Sequence, residues 1–352
     1  MYPLPAFVQV HPFPSLLNSL VVRSIFKMSP LLVTTPALTN LIVKSLPTAT
    51  VGNLCMGIGY GSGVVGQAGG TRGGMVDLLL VSSESSDLVR AIAQPGVVQE
   101  QLWRQWNERV MHFSPFLEWQ GTSVKVGIVS EHLAIRDATN WHFLSFAGRM
   151  HKPTVEAVRC HSAPLAAALH ANLVGALSLA LLRQPLSQRH VAWSTLVPDL
   201  VRLSYDGDIR RTLGAERADK VTAIAGPQAS LFPAYYADAV RTLGLRPHRW
   251  TVEREAVGEV AAARAHLVQL LNHIPIAPAG WRARVAWCNT LEEVEQVRQT
   301  TVETMLATAR RRVRLSSTRQ LVYSTFSVGP AKSLRYALEK LKKGVLSGMV
   351  RG

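Results

Sequence analysis

The chain has 352 residues, 47% of them hydrophobic and 17% charged, with a formal net charge of +15. That length and apolar share suit a globular protein of one large or two smaller domains with a sizeable core. The three cysteines, Cys55, Cys160 and Cys288, are odd in number, scattered and without a CxxC pair, which argues against a disulfide framework or a zinc site and for a reducing compartment.

Residues 1 to 45 contain no Asp or Glu, and Arg23, Lys27 and Lys44 stand among Ser, Thr, Leu and Val. This composition fits a mitochondrial transit peptide, with amphipathic helix plausible from Leu16 to Phe26 and prolines at 30 and 36 breaking it. A disordered extension, or a true start at Met28, would read the same way.

The stretch from Asn53 to Ser82 carries the chemistry. Leu54 to Ile58 reads as a short buried strand, broken by Gly59-Tyr60-Gly61-Ser62-Gly63, and Met75 to Val81 reads as a second strand with one charge inside it. That charge, Asp77, is the first acid of the chain. Glycines in such a turn let backbone pass close to a ligand and aim N–H groups at it. A carboxylate on the neighbouring strand can hold a divalent metal at the same place. An ordinary hairpin connection with an exposed Asp has the same sequence. The position two residues on, where a second metal-binding carboxylate would share the strand face, is Leu79.

Residues 87 to 119 read as mostly helical, interrupted at Pro95-Gly96 and ending in His112-Phe113-Ser114. Val124 to Val129 reads as a third strand, buried on both faces. Lys125 within it needs an anion or carboxylate partner, unless it lies at a solvated edge. Asp137 to Ala147 reads as a helix carrying Trp141. Arg149 and Lys152 just beyond it suit either a phosphate or the dipole at that helix's C-terminus.

From Ala163 the pattern turns helical. Ala163 to Leu182 carries His170 and Asn172 inside an apolar run and reads as a core helix rather than a membrane span. A second helix, from Ser187 to Leu203, should break or kink at Pro198. The Tyr205-Asp206-Gly207-Asp208-Ile209-Arg210 turn admits two readings: Asp208 on a metal with Arg210 on a phosphate, or an Asx turn capping a helix. Residues 227 to 310 read as mainly helical, and Arg314 to Gln320 as a polar basic loop. From Arg310 to Gly352 there are eleven Lys and Arg against a single acid, Glu339, so this segment carries +10 of the total charge. After Pro330, Leu334, Leu338, Leu341 and Val345 share one narrow stripe flanked by Lys332, Arg335, Lys342 and Lys343. This is the pattern of a helix lying in a membrane interface, and also of a soluble helix with a basic face.

Six blocks occur in order: GYGSGVVGQAG, MVDLLLV, VKVGIVS, DATNWHFLSFAGRMHKP, LSYDGDIR and RLSSTRQ. In that order they resemble the mitochondrial phosphatidate cytidylyltransferase family, also called the mitochondrial translocator assembly and maintenance protein family, over about residues 53 to 345. Two differences stand out: relatives have His-Tyr-Ser where this chain has His112-Phe113-Ser114, and Gly-Asp-Phe-Arg where it has Gly207-Asp208-Ile209-Arg210.

The resemblance implies an α/β (α+β) nucleotidyltransferase-fold domain over 46–162, after a transit peptide over 1–45. A helical, winged-helix-like domain over 163–305 and a basic C-terminal region over 306–352 with a membrane-surface helix would follow. It implies transfer of a cytidylyl group from CTP to phosphatidic acid, giving CDP-diacylglycerol and diphosphate and feeding cardiolipin and phosphatidylglycerol synthesis. Asp77, Lys125 and Asp208 would be catalytic, with Asp77 holding Mg2+. Gly61, Ser62, Gly63, Arg149, Lys152 and Arg210 would hold the nucleotide. Leu334, Leu338, Leu341, Lys342 and Lys343 would meet an anionic membrane on the matrix side of the inner membrane. Two other readings remain: a polynucleotide nucleotidyltransferase, which the charge allows but the few aromatics of the basic tail disfavour, and a non-enzymatic inner-membrane maintenance protein. Nucleic acid is not an expected partner.

Overall fold

The computed structural model describes residues 33–67, 75–93, 97–214, 216–255 and 257–327. Helices α1 (Thr35–Ser45) and α2 (Thr48–Gly52) lead into strands β1 (Leu54–Tyr60) and β2 (Val76–Ser82). Helices α3 (Ser85–Ala93) and α4 (Val97–Trp106), strands β3 (His112–Trp119) and β4 (Thr122–Ser130), helices α5 (Glu131–Asn140) and α6 (Phe146–Met150) and strand β5 (Val155–Val158) come next. The five strands form one mixed sheet in the order β3-β4-β2-β1-β5, parallel between β2 and β4 and antiparallel elsewhere.

Alternation along β2 explains its near-continuous apolar sequence. Val76, Leu78 and Leu80 join one hydrophobic layer, with α1, α3 and α4; Leu79 and Val81 join the layer on the other face, with α5 and α6. A strand covered on both faces has no solvent side to be polar on. Pro36 lies in the first turn of α1, where a missing N–H costs nothing, so it opens a helix here instead of breaking one. Leu38 and Ile42, one turn apart, are fully buried, and the Thr39 hydroxyl donates to the Ala157 carbonyl of β5 at 2.6 Å. The stretch from 35 to 45, which its composition groups with a transit peptide, thus forms part of the folded core; residues 1–32, including the Leu16–Phe26 segment, lie outside the described residues.

Helix α7 (Ala163–Leu182) joins this sheet to a second core. Its N-cap Ser162 accepts a hydrogen bond from the Leu165 N–H, Leu165 and Ala168 face the sheet, and Val174 to Leu182 pack into the helical core. By length and hydropathy α7 could cross a membrane, yet 67% of its most apolar window is buried inside the protein, as expected of a core helix. Around it lie β6 (His190–Ala192), α8 (Trp193–Arg202), α9 (Ile209–Thr212), α10 (Lys220–Gln228), α11 (Phe232–Tyr235) and α12 (Ala237–Thr242). Next come β7 (Arg246–Pro247), β8 (Thr251–Glu253), α13 (Val260–Asn272), α14 (Trp281–Ala286) and the 37-residue α15 (Leu291–Ser327). A small antiparallel sheet, β6-β8-β7, therefore interrupts a region that reads as mainly helical.

Three local readings are corrected. Residues 112–119 are a strand, because β3 pairs with β4 across the tight Gln120-Gly121 turn, with a β-bulge between Ser114 and Leu117. The helix expected from Asp137 to Ala147 is two helices: Trp141 adopts a left-handed conformation (φ 51°) and caps α5. Arg314 to Gln320 is helical, because Ser317 and Thr318 return their hydroxyls to the Arg314 carbonyl and leave the α15 ladder intact. At its start α15 has a capping box, with Thr290 accepting from the Glu293 N–H and the Glu293 carboxylate accepting from the Asn289 and Thr290 N–H groups. Pro198 is accommodated inside α8.

His112 lies on the sheet face away from Asp77. Its Nδ1 is 2.8 Å from the Tyr323 hydroxyl of α15 and its Nε2 is 3.1 Å from the Ser114 hydroxyl, with Trp103 edge-on against it. Burial pushes this imidazole down to about 4. The unfolded chain then binds a proton through the region near pH 6.5 that the folded chain refuses until about pH 4, so stability is lost as pH falls across that window. Denaturant unfolding between pH 7 and pH 4.5 should show this loss, and His112→Gln should lessen it by on the order of 1–3 kcal/mol. An unchanged pH slope in the variant would remove His112 as its source.

Candidate active site

The site is built first by strand register. Tyr60 of β1 pairs with Asp77 of β2, and Asp77 pairs in parallel with Lys125 of β4. Phe113 of β3 pairs with Gly127 of β4. Alternation sets Tyr60, Asp77, Lys125 and Phe113 on one sheet face, that of Leu79 and Val129. Lys125 Nζ is 3.8 Å from Asp77 Oδ1, and both side chains keep some solvent exposure, 17% and 22%. The carboxylate partner that a lysine inside a buried strand requires is therefore Asp77.

The glycine turn closes over this pair. Gly61 has φ +76° and its carbonyl accepts from the Val64 and Val65 N–H groups at 3.2 and 2.8 Å. Val64 and Val65 plug the core on the far face of the sheet, which fixes the turn from below. A Cβ on Gly61 would come within 2.6 Å of Asp77 Oδ2. The absence of a side chain at 61 is thus what lets the carboxylate stand beside the backbone of the turn; Ser62 and Gly63 form its head. Gly66 and Gln67, at the start of the glycine-rich loop, are tied to α10 through Gln228 and Lys220.

Arg149 reaches the same face from α6. Its guanidinium lies 5.3 Å from the Phe113 ring centroid and 5.9 Å from that of Tyr60. What holds α6 there is Asp137, which is fully buried. Its Oδ1 accepts from the N–H groups of Phe143 and Leu144, and its Oδ2 from those of Ser145, Phe146 and Ala147, at 2.7 to 3.1 Å. Five charge-assisted hydrogen bonds wrap the loop and the first turn of α6 around one carboxylate.

A second cluster adjoins Arg149. Lys152 donates to the Gly148 carbonyl and to the Ser204 hydroxyl, and lies 5.2 Å from the Tyr205 ring centroid. Desolvation, and after it the like charges of Arg149 and Lys220, holds its ammonium well below the ordinary lysine range. Asp208, 4% exposed, accepts the Arg210 N–H and caps α9, and it grips the Arg210 guanidinium through both oxygens at 2.5 to 3.1 Å. Burial alone would raise the Asp208 carboxyl; Arg210's hydrogen bonds and charge outweigh it and hold the group below the usual range. The Asx-turn cap of the sequence reading is present, with an ion pair added to it.

Of the residues singled out from sequence, Gly61, Asp77, Lys125 and Arg149 converge directly. Lys152 stands behind Arg149, and Asp208 and Arg210 form a pair on the neighbouring turn, within electrostatic reach of Arg149. Leu334, Leu338, Leu341, Lys342 and Lys343 lie outside the described residues. Sequence reasoning missed Tyr60, Phe113 and Asp137 as site-building groups. The signal for Asp137 was an acid on the same helix face as Leu133, Ala134 and Ala138.

Gly61→Ala and Gly121→Ala separate backbone strain from the clash with the carboxylate. Gly121 has a similar φ, +73°, but nothing within 4 Å of a would-be Cβ. Both variants should lose about 1–3 kcal/mol to the left-handed backbone, and Gly61→Ala should lose clearly more. Equal losses in chemical denaturation would show that Asp77 does not crowd the turn.

Residues 42–343 match the family model described as mitochondrial phosphatidate cytidylyltransferase. The chain is 31% identical to the mitochondrial phosphatidate cytidylyltransferase of Rattus norvegicus, over 68% of this chain and 71% of the relative. Against the proteins of the same description from Bos taurus and Schizosaccharomyces pombe it is 27% and 26% identical, over 85% and 82% of this chain and 92% and 80% of theirs. With the match running from α1 through the paired strands, α6, the Asp208 turn and α15, this chain belongs to the mitochondrial phosphatidate cytidylyltransferase family.

Proposed function

We propose that the chain transfers the cytidylyl group of CTP to phosphatidic acid in mitochondria, releasing diphosphate and forming CDP-diacylglycerol, a precursor for cardiolipin and phosphatidylglycerol. The observation that carries this reading is the face on which Asp77, Lys125 and Arg149 meet the Gly61 turn, within a chain of this family. A phosphatidate oxygen attacks the α-phosphorus of CTP, a new P–O bond forms, and the bond from the α-phosphorus to the bridging oxygen of diphosphate breaks. The phosphate monoester is already anionic near neutral pH, so the step needs neutralisation of gathering negative charge more than a strong base. Lys125 and Arg149 supply two cations there, and the Ser62 and Gly63 backbone is assigned to the triphosphate. Lys152 and Arg210, behind them, are assigned to further phosphate oxygens, with Asp208 orienting the Arg210 guanidinium.

Among the described residues no group of three or more His, Cys, Asp or Glu side chains converges, and the position two residues after Asp77 is the fully buried Leu79. A single carboxylate suits Mg2+ that arrives with the nucleotide and takes most of its ligands from phosphate oxygens and water. Asp77 is the residue assigned to hold it, and the ion would supply charge neutralisation at the leaving diphosphate.

The fold supports a nucleotidyltransferase-type first domain, from the sheet pattern and the turn–carboxylate pairing. It supports a winged-helix-like second domain, from the helices flanking the small sheet β6-β8-β7. For a peripheral place on the matrix face of the inner membrane, the support is α15 and the basic sequence beyond it. Leu315, Val322 and Phe326 are exposed along one line of α15, beside the exposed Arg311, Arg314 and Arg319, and no acid occurs between Glu303 and Glu339. An apolar line edged with arginine suits an anionic lipid surface.

Asp77→Asn should keep the fold and lower CTP turnover with phosphatidate by at least about a hundredfold. Near-normal turnover would take Asp77 out of the mechanism. Deleting residues 330–352, and separately Leu315→Glu with Phe326→Glu, should abolish co-sedimentation with anionic liposomes while CTP binding persists; truncated protein that still sediments would move the membrane contact elsewhere.

A further inference from the structure

We propose that Phe113 is a positioning residue for this reaction: its ring gathers Lys125 and Arg149 at the Asp77 end of the sheet, so that two cations meet the phosphate oxygens together. The inference rests on the function proposed above for this site.

Two like charges in one cleft repel each other, and each has other places to go. Lys125 has Asp77 at 3.8 Å, and Arg149 bonds the Ser145 carbonyl of its own helix. What they share is Phe113. Lys125 Nζ is 4.7 Å, and Arg149 Cζ 5.3 Å, from the centroid of the same ring. Both fall within the range in which a cation is attracted by a ring quadrupole, and the attraction strengthens where the group is desolvated. Phe113 is only 8% exposed, so little water competes.

The ring's own place is fixed from beneath. Phe113 is paired across the sheet with Gly127, where an added Cβ would come within 2.7 Å of Phe113 Cε1 and 3.0 Å of Leu79 Cδ1. Gly127 therefore serves as the floor on which the ring lies. Leu79, at the position where a second carboxylate would share the face of Asp77, packs against the same spot. A carboxylate there would stand close to the ring and draw the two cations down into the sheet; a leucine leaves them directed outward. Because the ring carries no hydroxyl, it can neither donate a hydrogen bond nor bind phosphate. Its contribution is confined to its shape and its quadrupole.

Those two contributions are separable. Progressive fluorination of Phe113 (mono-, di- and trifluoro-phenylalanine) drains the ring quadrupole while nearly conserving shape. In the full chain, log kcat/KM with CTP and phosphatidate in mixed vesicles should fall stepwise along the series, reaching about a tenfold loss, a scale set by two cation–π contacts. Phe113→Tyr should remain within about threefold of the parent. Phe113→Leu should lose about tenfold with its melting temperature little changed. In a Lys125→Met background the slope along the fluorinated series should shrink.

A flat fluorine series, or a slope indifferent to Lys125→Met, overturns the proposal and leaves Phe113 as packing alone. Should the parent protein fail to turn over CTP with phosphatidate, the proposed reaction fails separately. Phe113 is then read from the affinity for inorganic tripolyphosphate in calorimetry, which needs only the gathered cations. Falling affinity along the series would support the positioning role, and constant affinity would sink it.

Discussion

A single buried carboxylate organises the approach of the helical layer to the sheet. An unpartnered Asp in the position of Asp137 would cost several kcal/mol in desolvation. Instead, five N–H groups from residues 143–147 converge on it, and the loop between α5 and α6 has almost no freedom left. Two residues that are not glycine accept left-handed backbone to make this possible, Trp141 and Leu144. Arg312 of α15 closes the loop from outside by donating to the Asn140 and Trp141 carbonyls. The gain is direction: α6 leaves the carboxylate aimed so that Arg149 hangs over Phe113 and Lys152 over Tyr205.

The sheet makes a complementary contribution. Strand alternation places one charge of each sign on neighbouring strands at the same level, Asp77 and Lys125, in a register that the long apolar remainder of β2 and β4 enforces. Slippage of either strand by one residue would turn its charge into the opposite layer, that of Leu38, Val64 and Trp103, and leave the other charge without its neighbour. The hydrophobic pattern therefore specifies the ion pair as strictly as the ion pair's own attraction does. The glycine turn depends on it in the same way, since it approaches Asp77 only because residue 61 has no side chain.

Much of this was legible in the sequence where one physical requirement dominated. The strands around Asp77 and Lys125 announced themselves because apolar runs that short, punctuated by glycine, have few alternatives, and Lys125 inside one needed an anion or a carboxylate unless it lay at a solvated edge. The apolar run of α7 read correctly as core because His170 and Asn172 interrupt it; Asn172 is indeed fully buried, accepting from Trp141 Nε1 at 2.7 Å and from His151. What escaped were features that local pattern disguises. β3 pairs with β4 across the two-residue turn Gln120-Gly121, yet the β-bulge between Ser114 and Leu117 breaks the alternation that marks a strand. The break at Trp141 depends on the Asp137 carboxylate folding back on residues ahead of it. The hydroxyls of Ser316, Ser317 and Thr318 suggest a loop only until their carbonyl partners one turn back are known.

Helix α15 has a property that its length alone does not convey. Val302, Met305, Ala309 and Val313 lie in the helical core, while Gln320 bonds the backbone of Met111 and Tyr323 reaches His112 beneath the sheet. A helix advances about 1.5 Å and turns about 100° per residue. One residue inserted between Val313 and Gln320 would therefore swing Tyr323 roughly a quarter turn away from His112 while the earlier anchors stayed seated. A loop absorbs such a change; a helix gripped at both ends does not. This segment acts as a ruler, in which the number of residues matters as much as their identity, and length variation among relatives is expected to fall before Leu291 or after Ser327, outside the gauge.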